Sequence, residues 1–204
     1  MRRTFSLHVR FAMLAAALLA LAGSAVADTW KVNRGYVDVR FSWSNLGISR
    51  QSARFADVDG SLDFTPTDPA GGSVEVRIRA ASVQTTAREF DELLRRPEFF
   101  DAARFPYITF KSNAVRATGE RNGEVSGDLT VRGVSKPVVL EVTWTFTGEH
   151  PLGAINANYL GTWISGFSAR TRISRSAFGL DRGLPLVSDE VEISIDAEFT
   201  RKGE

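Results

Sequence analysis

The sequence contains no cysteine. Disulfides, a lipid-modified N-terminal cysteine, haem attachment through thiols and Cys-His catalysis are therefore excluded. Histidine is almost as scarce, with two in 204 residues. Only His150, in the loop-like string Gly148-Glu149-His150-Pro151, lies beyond the N-terminal segment. A His/Cys zinc site needs more ligands than this, and no Gly-x-Ser-x-Gly elbow is present to make a hydrolase of the lone histidine. Neither a metal nor a cofactor is expected.

A membrane-length hydrophobic segment is missing as well. Phe11 to Ala22 is an uncharged apolar run of twelve residues, short of the roughly 20 that span a bilayer core. With Arg2, Arg3 and Arg10 in front and Ala25-Val26-Ala27 behind, it reads instead as a signal peptide over residues 1–27, cleaved after Ala27. Export to the periplasm follows, by the general or the twin-arginine route. No stable membrane insertion is expected.

Charge of one sign is also lacking. The 25 basic and 24 acidic residues nearly cancel, and the leader carries three of the basic ones. Residues 28–204 are thus near neutral and lack the basic excess that binds nucleic acid or an anionic membrane. They are expected to form one domain.

What fills the chain is apolar/polar alternation. Val37, Val39, Phe41 and Trp43 alternate with Asp38, Arg40 and Ser42, and Val74, Val76, Ile78 and Ala80 with Glu75, Arg77 and Arg79. The same period of two returns over residues 125–131, 135–147, 163–173 and 189–201. Each segment is a strand with one dry and one wet face. Asp59-Gly60, the Asp68–Gly72 string, Asn122-Gly123 and Gly133 supply turn chemistry. About eight or more one-sided strands must close on themselves as a sandwich or a barrel. The two thirteen-residue alternations, 135–147 and 189–201, favour a tall barrel over strands of the usual five or six or so. The predicted fold is all-β, an antiparallel barrel.

One segment breaks the period. Thr86 and Glu89 have capping-box spacing, and Ala87, Phe90, Leu93 and Leu94 share a helix side before Pro97 stops it. A short helix over residues 86–96, followed by Phe99, Phe100 and Phe105, is too small to be a layer of the fold. It is expected to be a plug or lid with its apolar side on the barrel.

Several motifs together resemble the YceI-like family of periplasmic polyisoprenoid-binding proteins. They are Gly60-Ser61-Leu62-Asp63-Phe64, Pro97-Glu98-Phe99-Phe100-Asp101 with Phe105-Pro106-Tyr107-Ile108, Gly127-Asp128-Leu129-Thr130-Val131-Arg132-Gly133, and Ser174-Arg175-Ser176-Ala177-Phe178-Gly179-Leu180. The resemblance implies an extended, lipocalin-like β-barrel that holds an isoprenoid or other long-chain lipid in its lumen. The helix departs from the family's Arg-Asp-x-His-Leu pattern, because Phe90-Asp91-Glu92-Leu93-Leu94 stands there. A head-group role for a helix histidine therefore does not carry over.

On this reading the lumen is lined by Phe41, Trp43, Ile78, Phe90, Leu94, Phe99, Phe100 and Ile108. Its further lining is Phe110, Leu129, Trp144, Phe146, Phe167, Ala169, Phe178 and Ile195. Each alone is equally ordinary core. Arg88, Arg95, Arg96 and Arg175 are the candidate cations for a polar head, since arginine can clasp phosphate with two hydrogen bonds. The rival class is a barrel enzyme of isomerase or dehydratase type. Its best residues are the carboxylates Asp57, Asp59 and Asp63, close together in sequence; Asp57-x-Asp59-Gly60 also has the start of a calcium loop but lacks its downstream Glu. The sequence leaves open whether two barrels pair as a homodimer.

Overall fold

The alternating segments form ten strands in the computed structural model, which describes residues 29–203. The leader expected over residues 1–27 lies outside them. The strands are β1 (Thr29–Asn45), β2 (Ser49–Phe55), β3 (Val58–Thr65), β4 (Asp68–Arg79) and β5 (Val83–Gln84). After the helix α1 (Arg88–Arg95) come β6 (Tyr107–Ala117), β7 (Asn122–Val131), β8 (Val134–Glu149), β9 (Thr162–Ser174) and β10 (Glu190–Lys202).

Neighbouring strands pair antiparallel in the order β10-β9-β8-β7-β6-β4-β3-β1, and β10 also pairs with β1. The sheet thereby closes into an eight-stranded barrel and leaves its long strands no open edge. The seventeen-residue β1 serves two partners, β3 along its start and β2 from Val39 to Asn45. The connection from β4 to β6 carries β5 and α1 across one end of the barrel, the end where β1 finishes. The β9–β10 connection lies at the same end.

Four pairings shift register, β3–β4 among them between Asp63 and Thr65, and three of the shifts change which residues face inward. The β1–β10 register jumps between Val32 and Val37, β6–β7 between Ser112 and Ala114, and β8–β9 between Trp144 and Phe146. The extra residues are odd in number, three on β1 and one each on β6 and β8, so the inside/outside parity reverses beyond them. On β6 the inward set accordingly runs Ile108, Phe110, then Val115 and Ala117.

The turns differ in part from expectation. Arg132 and Gly133 do make the β7–β8 hairpin, with φ of 52° and 75°. Asp59-Gly60 instead lies inside β3. A Cβ at Gly60 would stand 2.5 Å from the Glu75 carbonyl oxygen of β4, so glycine is required there by cross-strand approach. Asp68 to Gly72 already belong to β4, and the bend precedes them.

The capping box at Thr86 does not form. The N-cap is Ala87, without a side-chain hydrogen bond. The first turn is held by Asp91, whose carboxylate accepts from the Thr85 amide and from its hydroxyl. Leu94 is the buried residue of α1, and its charged face turns to solvent.

Candidate functional site

Inside the barrel is a cavity of about 710 Å³ whose wall is almost wholly apolar. Every strand of the barrel contributes alternate residues. On β4 these include Val74, Val76 and Ile78, on β8 Val138, Leu140, Val142 and Trp144, and on β10 the odd positions from Val191 to Phe199. The β10 stretch alone covers eight residue steps, about 27 Å along the strand and roughly 20 Å along the axis at ordinary strand tilt.

Fifteen of the sixteen residues expected to line the lumen do so. At the helix end Phe90 leans on Trp43 with centroids 5.9 Å apart, and Phe100 meets Phe41 and Phe55 edge-on at 5.8 and 5.5 Å. Phe99, Leu94, Ile108 and Phe178 complete that region. Further along lie Phe110, Leu129, Ala169 and Ile195, and beyond them Phe64 contacts Trp144 and Phe167, each at 5.3 Å. The exception is Phe146, which is 45% exposed and absent from the lining. The β8 bulge before it reverses the alternation that made it look inward.

The four arginines proposed for a head group are not gathered at the cavity. Arg88 is exposed and faces Glu92 at 3.4 Å, and Arg96 is exposed. Arg95 donates to the Val83 carbonyl at 3.0 Å. Arg88 and Arg96 point to solvent and Arg95 is half-buried, and none of the three joins Phe90, Leu93 and Leu94 in the cavity wall.

Arg175 does line the cavity and is only 9% exposed, but its donors are committed. Its Nε donates to Ser188 O at 2.8 Å, Nη1 to Arg182 O at 3.0 Å and to Leu180 O, and Nη2 to Val187 O at 3.0 Å. Burial lowers its pKa from the usual arginine range, opposed by the charges of Asp189 and Asp181. It is a brace for the loop before β10.

The sequence reading missed the charged lining residues Glu120, Arg121 and Arg182. Arg121 belongs to the β6–β7 turn, donates to Thr145 O at 2.9 Å and lies over Trp144. Arg182 lies at the opposite end, in the braced loop. Both sit in turn-like polar strings that look like solvated loops, so no local signal marks them.

The rival residues are otherwise engaged. Asp57 pairs with Arg79 at 2.9 Å and Asp59 with Arg34 at 2.5 Å. The hydrogen bond from Arg34 holds the Asp59 carboxyl below its ordinary pKa, opposed by burial. His150 stacks on Tyr159 at 3.9 Å and accepts from the Leu152 amide at 3.2 Å. Among the described residues no group of three or more His, Cys, Asp or Glu is arranged to hold a metal ion.

Asp189 anchors the start of the turn that follows β9. It accepts from the Ser176 amide at 2.8 Å and from the Ser176 hydroxyl at 2.9 Å. The backbone hydrogen bond is the largest cause of its lowered pKa. A depressed carboxylate contributes stability above its unfolded pKa of about 3.9, and that stability is lost as pH falls through the lower folded value. Asp189→Asn is expected to be less stable than the parent near pH 7, with the gap closing below about pH 4. Urea midpoints across that range test this; a gap that stays constant into acid contradicts it.

The YceI-like domain profile matches residues 30–199. Protein YceI of Escherichia coli O17:K52:H18 is 35% identical over 185 residues, covering 90% of this chain and 92% of that protein. The crystal structure of the Campylobacter jejuni YCEI protein superposes with a TM-score of 0.66 at 28% identity, covering 78% of this chain and 90% of that one. A polyisoprenoid binding domain from Saccharophagus degradans, implicated in plant cell wall breakdown, superposes with a TM-score of 0.62 at 15% identity over 88% of this chain and 99% of that one. The last is a likeness of fold.

Proposed function

Because the chain belongs to the YceI-like family, we propose that it is a periplasmic, non-enzymatic carrier that holds one long isoprenoid-type lipid in the barrel lumen. The cargo is a polyprenyl phosphate or a quinone with a polyprenyl tail. One observation carries this reading, the apolar cavity of about 710 Å³ that runs along the barrel.

That volume lies in the range of small-molecule sites, about 300–1,000 Å³. Its charged wall residues, Glu120, Arg121, Arg175 and Arg182, all lie towards the ends, while the middle offers aliphatic and aromatic surface. A flexible hydrocarbon suits such a wall. The shared fold of the Saccharophagus degradans polyisoprenoid binding domain agrees with this ligand class. Arg182, exposed and in the cavity wall, takes the head-group role in place of Arg88, Arg95, Arg96 and Arg175.

Burying methylenes yields about 0.8 kcal/mol each against water. The competing home of such a lipid is a bilayer, however, so net retention is modest and the cargo can be handed on. The leader-like N-terminus supports export, and near-neutral charge agrees with a freely diffusing periplasmic carrier.

Organic extraction of protein purified without added lipid, followed by mass spectrometry, tests the proposal. A recurrent amphiphile at near one per chain is expected. A protein that is empty and consumes a small apolar substrate overturns it.

A further inference from the structure

Two loops at the helix-bearing end expose unusual amounts of aliphatic surface. Leu46 and Ile48, between β1 and β2, are 53% and 82% exposed, and Leu186, before β10, is 64% exposed with Leu184 beside it. The loops form one patch. The Leu46 amide donates to Leu186 O at 2.7 Å, the Ser188 amide to Ser44 O at 2.9 Å, and Asn45 bridges Val187.

Residues 44–49 (Ser-Asn-Leu-Gly-Ile-Ser) and 183–188 (Gly-Leu-Pro-Leu-Val-Ser) carry no charge. The barrel wall just below is covered by ion pairs such as Arg40–Asp38 and Arg50–Glu192. Leu46 also has a φ of 57°, a conformation in which glycine or asparagine costs less than a bulky residue. The backbone therefore does not account for leucine at this exposed position.

The patch is continuous with the cavity. Asn45, Arg182, Gly183 and Val187 all line it, so the immediate chain neighbours of the exposed leucines form its wall. We propose that this aliphatic rim docks on a lipid bilayer and passes cargo directly between membrane and lumen. The inference rests on the lumen reading above.

Chemistry favours a bilayer over a protein partner. Protein hot spots are enriched in Trp, Tyr and Arg, with Leu under-represented, whereas this rim offers only Leu and Ile side chains of a kind that settle into the headgroup–acyl boundary. Contact also removes the slow step, since a tail released into water loses its burial methylene by methylene. Arg182, next to the rim, can meet a lipid phosphate. Arg50 is paired with Glu192 and the two rim segments carry no charge, so docking is aliphatic in origin and transient.

A second exposed cluster, Ile155 and Leu160 at the opposite end, does not line the cavity and serves as the control. Flotation of the purified protein with phosphatidylethanolamine–phosphatidylglycerol vesicles is the test, run beside lumen binding of a fluorescent naphthylamine dye. Leu46→Ser, Ile48→Ser and Leu186→Ser together are expected to lower the vesicle partition coefficient at least about tenfold and leave dye binding intact. Ile155→Ser with Leu160→Ser is expected to change neither. Dye binding without vesicle association, or equal losses in both variants, overturns the docking inference alone. Failure of the parent protein to bind dye overturns the lumen reading and this one with it. Self-association lost in the rim variant, with no flotation by the parent, reassigns the rim to contact between two copies and overturns membrane docking.

Discussion

Arg175→Met is expected to destabilise the barrel by about 3 kcal/mol, a fall of roughly 6–12 °C in Tm for a domain of this size. The side chain is buried, and its four donated hydrogen bonds end on the carbonyls of Leu180, Arg182, Val187 and Ser188. Methionine keeps much of the volume and none of the donors. Four carbonyls that had a charged partner must then find water, which opens the loop, or stay unpaired, which costs more. Arg175→Lys is expected to recover only part of the loss, because an ammonium cannot reproduce a planar fork of N–H groups. Urea midpoints check this, and a change for methionine within about 0.5 kcal/mol contradicts it. Because Arg182, Gly183 and Val187 line the cavity, the methionine variant should also retain less lipid at temperatures where it is still folded.

The arginine shows where sequence reading stops. In sequence it stands as a candidate cation for a polar head group, and nothing local says that its partners are carbonyls in a loop five to thirteen residues on. The barrel was legible because its signal is local and repeated: β10, and β4 from Val74 onward, alternate without interruption, and one-sided strands with few helices have only closed or stacked solutions. The lumen set was legible wherever parity held. Phe146 was misplaced because a bulge adds one residue without changing the amino-acid pattern around it. Gly60 was misassigned for a related reason, since a glycine demanded by the approach of β4 looks the same in sequence as a glycine demanded by a turn. Whether inward side chains meet across the barrel or leave a channel depends on shear and tilt. Those are properties of the closed sheet, and no single strand carries them.

Ala169→Trp is expected to reduce lipid affinity about a hundredfold while leaving the fold intact. Ala169 faces the cavity from β9, between Val142 of β8 and Ile195 of β10 in the register. It is a small residue at mid-lumen, where a two-ring side chain must project into the space the hydrocarbon would fill. Displacing some three or four methylenes at about 0.8 kcal/mol each gives roughly 3 kcal/mol, or about a hundredfold. Core overpacking usually costs stability, but the indole here enters a cavity and replaces empty space with contacts, so the melting temperature should hold or rise. Ser168→Trp supplies the comparison. Ser168 is the adjacent residue on the same strand, and its hydroxyl donates to Asp196 at 2.6 Å on the outer face. The same ring added there should leave lipid occupancy unchanged, so the contrast between the two depends on parity alone. Lipid recovered per chain by extraction, together with dye titration, measures both. Equal occupancy in the Ala169→Trp and parent proteins would place the ligand outside the lumen, leaving the apolar channel as structure without cargo.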